Sequence, residues 1–273
     1  MTGGWCQRLR TVARVYWVLV SASLRGQMQY RLDFIGNTLI QAIMGADSLI
    51  LIVAVLARFG PIMGWTTMDI AMLFAVTRVG NGVYMLICNE LDRFEAYMVT
   101  GDFDSLLIRP WPPLFTLLAQ GTGVRRLSFL AQGIAAFAVA APRLAAVGAV
   151  AGCDWAWLAL AMAWTSLLYF AVGLATAAAG FWLTRIDELQ VFTMIAPTTA
   201  TTYPLDVYPS WMRKLLLSVL PIGLGNYLPL RFILSKGGSQ ADLLWPAIGC
   251  PLAVAAALWL WNRGVSRYSS TGT

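Results

Sequence analysis

Glu95-Ala-Tyr-Met-Val-Thr-Gly-Asp-Phe-Asp-Ser-Leu-Leu-Ile-Arg-Pro-Trp-Pro-Pro113 is a charged, turn-bearing island between two long apolar runs. It interrupts a chain whose composition is otherwise that of a lipid-soluble protein. Of 273 residues, 59% are hydrophobic and 12% are charged, and the mean hydropathy is +0.68. Soluble domains carry about 25% charged residues. One aqueous core cannot hide this much apolar surface, and several runs reach the ~20 residues needed to cross a bilayer. The runs flanking the island therefore read as membrane spans, and the fold class as all-α and polytopic.

Working outward from the island, the preceding span covers about residues 68–91, and a first span covers Phe34–Ala57. Residues 1–32 interleave Arg8, Arg10, Arg14, Arg25 and Arg31 with Trp5, Tyr16 and Leu19. Their longest apolar run, Val15–Val20, is too short to cross, so this segment reads as a helix lying in the interface plane. A signal peptide is the rival reading. Beyond the island, a third span starts at Phe115 or Arg126 and ends near Ala141. A fourth covers Trp155–Leu183, a fifth Leu189–Thr202 and a sixth Leu243–Trp261. The six-span unit is residues 33–262, followed by a tail, 263–273.

Between the last two spans, residues 203–234 are apolar yet broken by Pro204, Pro209, Pro221 and Pro229. Proline removes a donor and clashes with the preceding turn. Irregular backbone at membrane depth needs protein or a water-filled cavity around it. Short re-entrant helices satisfy both conditions; a seventh span is the plainer alternative. With the amino terminus inside, twelve arginines and lysines fall on inner segments and six on outer ones. The positive-inside rule then places both termini and the island in the cytoplasm.

The chain has no histidine, and Cys6, Cys88, Cys153 and Cys250 include no Cys-x-x-Cys pair. This removes the commonest general base, disfavours zinc or disulfide frameworks, and argues against an intramembrane enzyme. No Gly-x-x-x-x-Gly-Lys-Ser/Thr phosphate loop occurs. The net charge of +6 reads as orientation and lipid headgroup contact rather than nucleic-acid binding.

Within the island, Glu90–Val99 has the period of one short helix, with Leu91, Phe94 and Met98 on one face. Gly101 permits a left-handed stop. Asp102-Phe-Asp104 supplies a cap for the next turn, and Arg109-Pro110 with Pro112-Pro113 forces an extended corner. A short helix displaying an aromatic and charges across the inner mouth suits docking; the alternative is a solvated loop. Inside the spans, Asp47 and Arg78 reach similar depth, and pairing would offset the cost of ~2.5–3.5 kcal/mol for a mid-bilayer charge. The pair reads either as a staple or as a polar lining. Thr193, Thr198, Thr199, Thr201 and Thr202 surround Pro197. Their hydroxyls either bond back to their own helix and relieve the kink or line a translocation path. Trp155, Trp157, Trp211, Trp245, Trp259 and Trp261 fall near span ends and read as interfacial anchors.

The pattern Glu95…Gly101-x-x-Asp104-x-Leu106-Leu107-x-Arg109-Pro110-x-x-Pro113-Leu114 resembles the loop after the second span of ABC-2 type permeases, in particular the compact six-span permeases of bacterial ATP-binding-cassette transporters. Tyr203-Pro204…Tyr208-Pro-Ser-Trp-Met-Arg213…Leu220-Pro221…Pro229-Leu-Arg231 is similar to that family's re-entrant segment. Arg263-Gly-Val-Ser-Arg267-Tyr268-Ser269 resembles its basic tail. The resemblance implies a dimer, with either a second copy or a paralogous permease, above separate ATPase subunits that hold ATP and Mg. This chain itself would bind no cofactor and no metal. The resemblance also implies export of an amphiphilic or polar substrate by alternating access, in a bacterial inner membrane. The coupling element is then segment 90–113, with Glu90, Arg93, Phe94, Glu95, Gly101, Asp104, Arg109 and Pro110 as its working residues. The rival function is a secondary transporter or channel without an ATPase. That rival calls for inverted repeats and more intramembrane ionisable groups than Asp47 and Arg78.

Overall fold

A computed structural model describes residues 36, 40, 61–121, 127–183 and 185–268. The expected interfacial helix 1–32, Asp47, Arg125, Arg126 and the tail beyond Tyr268 lie outside the described residues, as does the expected first span except for Gly36 and Ile40, which are helical. The named elements are all helical. They are α1 (Thr67–Asp92), α2 (Phe94–Thr100), α3 (Phe103–Leu107), α4 (Pro113–Gln120), α5 (Leu127–Ala146), α6 (Asp154–Ala179), α7 (Asp187–Gln190), a π-helical turn Val191–Ile195, α8 (Ala196–Ala200), a 3₁₀ turn Leu205–Val207, α9 (Ser210–Ser218), α10 (Ile222–Ile233) and α11 (Ala241–Arg267).

Among the described residues, four helical stretches are long and apolar enough to cross a membrane: Thr67–Thr100, Leu127–Ala146, Asp154–Ala179 and Ala241–Arg267. α9 and α10 form a further candidate, but the pair is bent by 108°. Pro209 and Pro221 occupy their N-cap positions, where a missing N–H costs no helical bond. The expected fifth span is helical through α7, the π turn and α8, but in three pieces. The widened turn ends just before Pro197, which has no N–H to offer the Thr193 carbonyl one turn back.

Several boundaries differ from expectation. α5 runs through Pro142 to Ala146, because Leu144 in its last turn is buried. α11 continues past Trp261 to Arg267 despite Pro246 and Pro251, so the start of the expected tail is helix. α1 begins with a reciprocal cap: Thr66 N–H donates to the Asp69 carboxylate at 2.8 Å, and Asp69 N–H donates to Thr66 Oγ1 at 3.4 Å. Lys236 Nζ then lies 2.7 Å from Asp69 Oδ2, tying the segment after α10 to the start of α1.

α6 is the central helix, packed against α1, α10 and α11, while α5 lies along α1. Close approach rests on small residues, as is usual between helices in lipid. A Cβ at Gly82 of α1 would sit 2.7 Å from the Leu130 backbone nitrogen of α5. Gly82→Ala is therefore expected to push these helices apart and to cost about 1–3 kcal/mol. Thermal unfolding of the detergent-solubilised chain measures this; an unchanged midpoint would refute the packing.

The buried residues form two clusters. One, around Trp65, Phe74, Trp164 and Tyr227, lies toward the start of α1. The other, around Tyr84, Phe94, Tyr169 and Trp261, lies toward its end. A polar node also joins α1, α10 and the end of α8. There the fully buried Asn226 donates to Thr77 Oγ1 at 2.7 Å and to the Thr201 carbonyl at 3.1 Å. On α11, Leu244, Trp245, Ile248 and Leu252 form an exposed apolar face. So large a patch is costly in water and suits hydrocarbon.

Candidate functional site

The island folds into a compact hairpin beneath the ends of α1, α6 and α11. The helix expected over Glu90–Val99 is divided: Glu90–Asp92 complete α1, which bends at Cys88 (φ −114°, ψ 17°), and α2 starts afresh at Phe94. Gly101 stops α2 in the left-handed region at φ 77°, where a Cβ would be strained. Asp102 does not cap α3 through its side chain. Its backbone is already helical, and its carboxylate accepts instead from Thr100 Oγ1 at 2.7 Å.

The expected display of Phe94 is corrected. Phe94 and Phe103 are 0% exposed and form one aromatic knot with Phe181, Trp261 and Tyr268. Phe94 meets Phe103, Phe181 and Trp261 at centroid distances of 5.4, 5.1 and 5.1 Å. Phe103 meets Tyr268 edge-on at 5.0 Å. Most of these contacts are edge-to-face, the arrangement that aromatic quadrupoles favour. Trp261 accordingly serves the knot rather than the membrane interface. Burial, followed by the negative charge of nearby Asp104, pushes the Tyr268 phenol up. What the hairpin does present is a different face: Val99 is 69% exposed and Ile108 85%, beside the exposed Arg109 and Pro110.

Two clamps join this hairpin to the chain beyond α6. Glu95 accepts from the backbone N–H of Ile186 at 2.6 Å and of Asp187 at 3.0 Å. Its carboxylate thus caps the start of α7, where unpaired N–H groups and the helix dipole favour negative charge. In return, Gln190 Nε2 at the end of α7 donates to the Asp92 carbonyl at the end of α1, at 2.6 Å. A third contact joins α1, α2 and α4. Buried Glu90 accepts from Tyr97 Oη at 2.9 Å, and Arg93 Nη1 lies 3.7 Å from its other oxygen. A Cβ at Gly121 would collide with the Glu90 carboxylate, so glycine leaves room for it there.

The remaining expected residues lie elsewhere. Asp47 is outside the described residues, and its expected pairing with Arg78 lies outside them too. Arg78 places its guanidinium 5.0 Å from the Phe74 ring centroid and 5.7 Å from that of Phe129, which softens the cost of a charge at this depth. The threonine hydroxyls bond back to their own segment: Thr198 to Met194, Thr199 to Ile195, Thr201 to Thr198 and Thr202 to Thr199. Pro197, Thr201 and Thr202 are buried. Thr193 lines a cavity, where it accepts from Thr176 Oγ1 at 2.8 Å.

Sequence reasoning missed Phe181, Tyr268, Gln190, Thr176 and Asn226. Asn226 had a signal, as the one amide in the apolar stretch Ile222–Ile233. The others had none, because their partners are remote in sequence.

A bundle of apolar helices with a clamped polar hairpin at one end defines a multi-pass membrane protein. A family model described as ABC-2 family transporter protein matches residues 42–272. The chain belongs to this family and is a multi-pass permease of the ABC transporter class. No curated protein and no solved structure matches the chain.

Proposed function

We propose that the chain is the permease half of an ATP-driven exporter, working as a dimer with separate ATPase subunits that bind ATP and Mg. In this reading it sits in a bacterial inner membrane with both termini cytoplasmic. Phe34–Ala57, α1, α5, α6, the α7–α8 segment and α11 make six spans, with α9–α10 re-entrant. The observation that carries the reading is the two-sided hairpin. One face is locked by the aromatic knot and the Glu95 clamp to the ends of α6, α7 and α11. The other presents Val99, Ile108 and Arg109 to solvent. A push on the outer face is thereby passed to three elements together, as coupling to a soluble motor requires. Glu90, Arg93, Gly101 and Pro110 then act as its framework, and Asp104 steadies Tyr268.

Tagged full-length chain purified from its native membrane is expected to bring down a stoichiometric ATPase. Ile108→Asp combined with Arg109→Glu is expected to lower that yield at least about tenfold, the scale of an interface hot spot, without altering the permease's own yield. A permease that purifies alone would sink this reading and favour the secondary transporter or channel.

A further inference from the structure

A groove of about 400 Å³ opens between α6, α7 with its π turn, the α9–α10 corner and α11. Its volume falls in the range of small-molecule sites. Two features define what it accepts. First, no Asp, Glu, Lys or Arg is among the described residues that line it; these walls are mainly alanine, valine, leucine and proline. A charged ligand entering it would lose its hydration without compensation. Second, its three hydroxyls have their hydrogens committed. Thr193 donates to the Leu189 carbonyl at 2.9 Å, and Ser218 to the Lys214 carbonyl at 2.7 Å. The single hydrogen of Thr176 goes to the Val172 carbonyl or to Thr193 Oγ1, at 2.9 and 2.8 Å. A hydroxyl has one hydrogen and two lone pairs, so the oxygens offer the groove only acceptors.

We infer that this groove is a binding site for an uncharged, mostly apolar molecule that carries a hydrogen-bond donor, such as a hydroxyl or an amide N–H. Thr176 and Thr193 read the donor, and the alanine walls of α6 and α11 hold the apolar body. The site rests on the transport reading only for its purpose, since it gives that transporter a substrate class; binding itself needs no ATPase. One wall is formed by Leu189 and Thr193, which follow directly on the α7 terminus capped by Glu95. The ligand and the hairpin therefore bear on one segment.

The test is photolabelling of the full chain in lipid nanodiscs with three probes: para-(hydroxymethyl)benzophenone, its methyl ether, and para-benzoylbenzoate. Labelled sites are mapped by peptide mass spectrometry. The alcohol is expected to label the groove-lining stretches about threefold to tenfold more than the ether, the worth of one hydrogen bond, and to exceed the anionic carboxylate by at least as much. Ala256→Trp fills the groove from an exposed position on α11, so its folding is not at risk. It should lower alcohol labelling there at least about fivefold, on the scale of a lost ~1 kcal/mol, and leave labelling elsewhere unchanged. The double change Thr176→Val and Thr193→Val should erase the preference of alcohol over ether while keeping the apolar contribution. Equal labelling by all three probes would mark simple partition into lipid and overturn the proposal. So would labelling indifferent to Ala256→Trp, or confined to other surfaces. Any of these failures leaves ATPase association untouched, and loss of that association leaves the labelling untouched.

Discussion

Phe94→Ala is expected to destabilise the folded chain by about 3–5 kcal/mol, the usual cost of emptying a core phenylalanine site. Phe94 is fully buried and touches three other rings. Its removal forfeits both transfer free energy and the edge-to-face terms, each worth roughly 0.5–1.5 kcal/mol. The site cannot collapse easily, because its walls come from α3, the end of α6 and α11. A neighbouring contact constrains it further: a Cβ at Gly264 would collide with the Phe181 ring, so α11 is already as close as it can come. Phe94→Leu should recover roughly half of the loss, since leucine retains apolar bulk without the ring edge. Thermal unfolding of the purified chain, followed by size-exclusion fluorescence, measures both. A Phe94→Ala curve superimposable on wild type would show that the ring is not a core residue.

The Glu95 clamp gives an effect of a different kind. In the complex proposed above, Glu95→Ala should lower transport at least about tenfold, equivalent to ~1.4 kcal/mol, while ATPase association and fold persist. The two amides it binds are not equivalent. Ile186 is 1% exposed whereas Asp187 is exposed, so water replaces the carboxylate readily at one and poorly at the other. A buried N–H left without a partner costs about 1–3 kcal/mol, and that loss falls on the junction between α2 and α7. Glu95→Gln keeps an acceptor oxygen but not the charge, and should fall between wild type and alanine. Comparing transport with co-purification separates this outcome from simple unfolding; transport unchanged in Glu95→Ala would remove the clamp from the mechanism.

Much of this layout was legible in the chain. The apolar run of α1, the stop at Gly101 and the proline-broken stretch around α9 and α10 each follow from local chemistry that folds much the same in any context. The orientation of α2 was not legible. Its period correctly grouped Phe94 and Met98 on one side, yet an isolated amphipathic turn does not reveal whether that side meets water or other rings. The rings that decide it are Phe181, Trp261 and Tyr268, which lie 87 to 174 positions further along the chain. The same holds for Glu95, a residue that reads as solvated until the free amides of Ile186 and Asp187 are brought beneath it. The division of the fifth span was partly legible, since Pro197 announces a fault in the helix but not that a wider turn would absorb it.

The hairpin's two faces also bear on how a permease with the proposed ATPase partner could change it. In the complex proposed above, the residues that would transmit motion and those that would meet a motor sit in one hairpin but are different side chains. Substitutions at Val99, Ile108 or Arg109 can drift toward a new ATPase surface while Phe94, Phe103 and Glu95 stay fixed. In that complex the choice of engine would be separate from the transmission shaft, and a transplanted outer face on this chain should accept a foreign motor without redesign of the membrane bundle.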